Sequence, residues 1–105
     1  MNHRQQDLDI GGDSVNAAPS PVTANAALPV FEATTKIPKR CRVTSNSEGG
    51  VFFKFGRSDV TVSGTTGTLV GRFEALVVKT LGRSHFAYID PSDGETILCI
   101  TPLND

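Results

Sequence analysis

The chain has 105 residues and a mass of 11.2 kDa, room for one small domain that buries only about 60% of the surface its unfolded form exposes and gains from neighbouring subunits. Ten Lys and Arg stand against eleven Asp and Glu, a net charge of −1, which is not the basic balance of a nucleic-acid binder. Two cysteines and two histidines are too few for a disulfide scaffold or a zinc framework, and no apolar run reaches the ~20 residues of a membrane span.

Residues 1–28 carry one Arg against three Asp among Asn, Gln, Ser, Ala, Gly and Pro, and their apolar residues follow neither a helical nor an alternating period. A stretch of this kind does not offset its own ordering entropy. It is expected to be either a flexible leader or an arm that docks on a neighbour through Leu8, Ile10 and Val22. Its first residues lack the apolar core of a signal peptide, which predicts synthesis in the cytoplasm.

Residues 29–105 are expected to form the folded domain. Arg40-Cys41-Arg42-Val43-Thr44 alternates charged with apolar side chains, as a half-buried strand does. Ser45–Gly50 follows with turn residues, which implies a hairpin into Val51-Phe52-Phe53-Lys54-Phe55. A turn at Gly56–Asp59 leads to a third β-type run, Val60-Thr61-Val62. After the loop 63–68 come Leu69-Val70 and then the segment Arg72–Leu81, whose apolar residues fit a helical stripe or a strand. Val77-Val78 and the flanking Gly71 and Gly82 decide for strand. His85-Phe86-Ala87-Tyr88-Ile89 and Glu95–Thr101 complete the set, joined by a tight turn at Asp90–Gly94, with Pro102 as the stop. The spacing of these runs and the Gly and Pro between them predict an all-β fold, an antiparallel β-sandwich of jelly-roll-like type with a flexible N-terminal arm.

No catalytic, cofactor-binding or metal-binding constellation is legible. His85 stands at a strand start with no nucleophile turn in the sequence, and the carboxylates of Asp90–Glu95 have turn spacing rather than that of a calcium loop. Cys41 and Cys99 sit in apolar alternation and are expected to be reduced core thiols, with one bridge between them as the alternative. Lys36, Lys39, Arg40 and Arg42 form the one concentration of positive charge. They are read either as a face that protects a sheet edge or as a contact for an acidic protein surface.

Three stretches carry a resemblance: Arg42-Val43-Thr44-Ser45-Asn46 before a Gly-containing turn, Val51-Phe52-Phe53-Lys54-Phe55-Gly56, and Ser84-His85-Phe86-Ala87-Tyr88-Ile89 followed by a turn and Thr96-Ile97-Leu98-Cys99-Ile100-Thr101. From about Ile37 to Leu103 the chain resembles the small β-rich head proteins of tailed bacteriophages, of the capsid decoration or cement type. The resemblance implies a non-enzymatic virion protein without cofactor. It would bind the outer surface of an assembled shell with the major capsid protein as partner, self-associate as a homodimer or homotrimer, and engage neither nucleic acid nor membrane. Shell contact is then expected from the arm residues Leu8, Ile10 and Val22 and from Lys36, Lys39, Arg40 and Arg42. Self-association is expected from Phe52, Leu76, Val78, Phe86 and Tyr88, taken as a second apolar strand face. A head–tail connector or fibre-base component, and a small carbohydrate- or nucleic-acid-binding β module, are the alternatives.

Overall fold

The computed structural model describes residues 10–31, 34–91 and 96–104. Within them the chain forms eight strands and no helix: β1 (Val15–Ala17), β2 (Ala24–Ala27), β3 (Arg40–Ser45), β4 (Val51–Gly56), β5 (Thr68–Val70), β6 (Ala75–Lys79), β7 (His85–Ile89) and β8 (Leu98–Leu103). They make two four-stranded antiparallel sheets, sheet A in the order β1-β8-β3-β6 and sheet B in the order β2-β7-β4-β5. Successive strands alternate between the sheets except for β4 and β5, which are paired neighbours.

The sheets face each other in a sandwich-like arrangement, because a single core cluster draws on both. Sheet A contributes Ala17, Cys41, Val43, Leu98 and Ile100, and sheet B contributes Val51, Phe53, Phe55, Val70 and Phe86. The shortest dimension of the molecule is 20 Å, room for two sheets ~10 Å apart and the side chains on their outer faces. Sheet B carries the aromatic half of the core. Phe53 stands opposite Tyr88 and Phe55 opposite Phe86 in the β4–β7 ladder, with ring centroids 5.8 Å apart for Phe53 and Phe55 and 5.4 Å for Phe86 and Tyr88. The smaller aliphatic side chains of sheet A fill the space against these rings, which is how close packing pairs large residues with small ones.

Several expectations are corrected here. Residues 10–28 are not an arm free of the domain, since β1 pairs with β8, β2 pairs with β7, and Ala17 and Leu28 lie in the core. Short Ala- and Asn-containing segments form strands because the neighbouring strand supplies the ladder, an effect of tertiary context that local propensity does not carry. Leu8 lies outside the described residues, as does most of the tight turn expected at Asp90–Gly94. The hairpin expected at Ser45–Gly50 is a corner between sheets, with Gly50 at φ +85° and β3 and β4 on opposite sides of the core. Arg72–Leu81 shortens to β6, and β8 runs through Pro102 to Leu103. The N–H of Asn46 donates to Ile97 O, so odd-numbered residues of β8 turn their backbone groups to β3 and even-numbered ones to β1. The missing N–H of Pro102 therefore points at the edge, between Gly11 N–H···O=C Pro102 and the Val15–Ile100 pair, where the register with β1 is interrupted.

Val60-Thr61-Val62 is not a strand. The β4–β5 connection, residues 57–67, folds back over the outer face of sheet B. The Asn25 side-chain amide, on that face of β2, donates to Ser58 O at 3.0 Å and Val60 O at 3.2 Å, and Thr23 Oγ1 accepts the Val62 N–H at 3.3 Å. Ala87, which points outward from β7, is fully buried, and Val62 is nearly so. Two glycines permit the approach. A Cβ on Gly56 would stand 2.6 Å from Val60 Cγ2, and one on Gly67 would overlap the Val62 side chain.

Leu28→Ala should lower the unfolding free energy by about 2–4 kcal/mol through the cavity it leaves, and Val22→Ala, at a position 73% exposed, by less than about 0.5 kcal/mol. Urea denaturation of the full chain measures both, and equal, negligible effects would restore the free arm.

Candidate functional site

The outer face of sheet A follows from the register. Leu103, Arg40 and Lys79 form one cross-strand row, Thr101, Arg42 and Val77 the next, and Asn16, Cys99, Thr44 and Ala75 the third. The rows hold three cations and no carboxylate. Part of this face is covered by the chain itself: Thr101 and Leu103 point outward yet are buried, with Ser14 Oγ 2.6 Å from Thr101 Oγ1 and Ile10 bridged to Leu103. The half built from β3 and β6 stays open. Val77 is 53% exposed and Ile97, beside Cys99, is 51% exposed. Two recesses border this half, one of about 570 Å3 at Ile37, Lys39, Arg40, Lys79 and Leu81, the other of about 480 Å3 at Arg42, Thr44, Phe73, Glu74, Ile97 and Cys99, where one carboxylate stands at the rim.

The turns at the two ends of β6 hold large apolar residues in the left-handed region, Phe73 at φ +61° and Leu81 at φ +53°. That conformation costs an L-residue with a bulky side chain ~1–2 kcal/mol. Both side chains are nevertheless presented to solvent, Phe73 84% and Leu81 71% exposed. Local bonds hold the turns. Glu74 Oε1 accepts the Gly71 N–H at 2.8 Å, Thr80 Oγ1 donates to Pro38 O at 2.6 Å, and Arg72 pairs with Glu48 at 2.9 Å while its guanidinium lies 4.8 Å from the centre of the Phe73 ring.

The structure separates the residues read from the sequence as contacts. Arg40 and Arg42 lie on the open face, joined there by Lys79, which the linear charge cluster does not include. Lys39 lines the recess beside Arg40 and Lys79, whereas Lys36 is exposed farther back in the β2–β3 connection, Ile10 is at the β8 edge and Val22 lies in the β1–β2 connection, so these three do not form one patch with β3. The residues assigned to self-association are mostly on the wrong face. Phe86 is fully buried in the core, and Leu76, Val78 and Tyr88 point inward and pack against it. Phe52 points outward, but beneath the 57–67 connection, within reach of a Cβ on Gly64 or Gly67. Strand alternation defines two faces without saying which turns inward, and here the inward set is the one the sequence reading placed outside.

His85 begins β7, with Ser84 Oγ 2.7 Å from its Nδ1. The buried Asp90 carboxylate accepts a 2.8 Å hydrogen bond from Thr96 Oγ1. Among the described residues no three His, Cys, Asp or Glu side chains gather in a metal-binding group. Both thiols are free. Cys41 faces the core and Cys99 the outer face, so only the first is a core thiol and the pair cannot bridge across the sheet. No protein-family model, curated protein or solved structure matches the chain.

Burial pushes the Cys41 thiol from 9.0 to about 11. The folded state thus holds this proton more tightly than the unfolded chain, and the associated stability is present below pH 9 and is lost as pH rises toward 11. Cys41 should resist a thiolate-selective alkylating reagent at pH 8 in the native protein and react once urea unfolds it, as peptide mass mapping would read. Rapid native labelling of Cys41 would contradict its burial.

Proposed function

We propose that this chain is a non-enzymatic structural protein of a virion, of the tailed-phage capsid decoration type, which attaches to an assembled shell through the open half of sheet A. Two lines support the reading. The first is the strand order β1-β8-β3-β6 facing β2-β7-β4-β5, which fits a jelly roll, two interleaved Greek keys of a kind recurrent in viral capsid and lectin domains. A fold alone does not assign a function.

The observation that carries the proposal is therefore the asymmetry of the two outer faces. The chain covers much of the outer face of sheet B with its own 57–67 connection, leaving Leu69 exposed at the β5 edge, whereas the β3–β6 half of sheet A is left open with Arg40, Arg42 and Lys79 around Val77, and with Ile97 exposed at its β8 end. Cations framing an apolar centre match an acidic rim around an apolar patch on the partner, the usual anatomy of a specific protein contact. Repetition of that patch over a shell lattice would hold many copies even where each contact is small.

The full-length chain should cosediment with empty shells and be released by salt, and the double variant Arg40→Glu, Arg42→Glu should weaken retention by about tenfold or more, since two charge reversals opposite an acidic rim cost ~1–2 kcal/mol. Saturable binding to glycans with no retention on shells would replace this reading with that of a lectin-like module.

A further inference from the structure

Among the described residues, four strands have an open edge. β1 and β5 have three residues each and β2 has four, whereas β6 has five. Exposed edges are normally kept short or disrupted because their free backbone groups template pairing with another chain. β1 is interrupted in its register, and β2 reads Ala-Asn-Ala-Ala, a weak strand former. β6 reads Ala-Leu-Val-Val-Lys, without Pro or bulge, and among the described residues β3 is its one strand partner. The Thr80 N–H donates to Lys39 O at 2.8 Å, in step with the β3–β6 register, so the even-numbered residues turn their backbone groups to β3. The N–H and C=O groups of Ala75, Val77 and Lys79 therefore point to the open edge.

We propose that β6 pairs with β6 of a second copy of this chain, antiparallel about a twofold axis through Val77, joining the two A sheets into one. Several independent features are symmetric about that residue. With Val77 opposite its own mate, Ala75 meets Lys79 of the second copy, and every outward N–H and C=O of the three residues finds a partner. On the inner face Leu76 stands opposite Val78 of the second copy, which covers the sides of these half-buried residues left open at the end of the core. Lys79 of each copy stands opposite Ala75 and one residue along the chain from Glu74 of the other, so unlike charges lie near both ends of the ladder and none falls on the axis. Phe73 and Leu81 lie equally far along the chain from Val77, and the same register carries Phe73 of one copy to Leu81 of the other. The contact gives a role to two side chains otherwise held strained and exposed. An isologous pairing needs this self-complementarity, and an unrelated strand has no reason to match it.

The inference goes beyond shell attachment and does not rest on it, since it concerns the purified chain alone. Light scattering on the full-length protein should give a dimer that dissociates on dilution. Val77→Cys should cross-link to itself under mild oxidation, because a hydrogen-bonded antiparallel pair sets its Cα atoms ~5.5 Å apart, within disulfide range. Val77→Lys, which puts two like charges on the axis at an exposed position, should be monomeric with an unchanged circular dichroism spectrum, and Phe73→Ser should weaken the dimer. A wild-type chain that stays monomeric at its highest soluble concentration would overturn the proposal. So would a dimer that survives Val77→Lys and leaves Val77→Cys uncross-linked.

Discussion

Each strand presents side chains to two faces, so two sheets have four faces to cover, and in a chain this short the way they are covered decides the rest. The inner faces cover each other, aromatic rings from β4 and β7 against aliphatic side chains from β3 and β8. Much of the outer face of sheet B is covered by the 57–67 connection, tied down by the Asn25 amide and the Thr23 hydroxyl, with Leu69 left exposed at the edge. Residues 10–14 shield the β8 side of sheet A. What remains is the half made of β3 and β6, and there exposed Phe73, Val77 and Leu81, the cations and the strained turns coincide. Position in the sandwich, more than any motif, makes this the candidate interaction face.

Much of the fold was legible because four segments carry their own pattern. The alternation in Arg40–Thr44 and Val51–Phe55, and the β-rich runs around Phe86 and Leu98, predict β3, β4, β7 and most of β8, and the prediction of an all-β antiparallel architecture follows from them. β1 and β2 were not legible. Val15-Asn16-Ala17 and Ala24-Asn25-Ala26-Ala27 acquire their conformation from β8 and β7, strands distant in sequence, and a local reading weighs only their Ala, Asn and polar flanks. Val60-Thr61-Val62 fails in the opposite sense, since its β-branched residues pack Val60 against Gly56 and Val62 against Gly67 rather than form a ladder.

The site was less legible, for two physical reasons. Charge proximity along the chain groups Lys36 and Lys39 with Arg40 and Arg42, whereas the sheet groups Arg40 and Arg42 with Lys79, which comes from the neighbouring strand. Alternation also leaves the sign of each face undetermined. Phe86 and Tyr88 read as well for an outer surface as for a core until the β4–β7 register sets them beside Phe55 and Phe53. The left-handed backbone at Phe73 and Leu81 carries no sequence signal, because neither residue favours it.

The chain covers much of sheet B by itself, and the contact with other chains is proposed to run through β3 and β6. Hydroxyl-radical footprinting of the full-length protein, free and bound to shells, tests it most directly by reading side-chain accessibility residue by residue. Val77 and Ile97 should become protected on shells, while Val22 and Leu69 should stay as reactive as in the free chain. Protection centred on residues 57–67 or on Leu69, with Val77 and Ile97 unchanged, would contradict it.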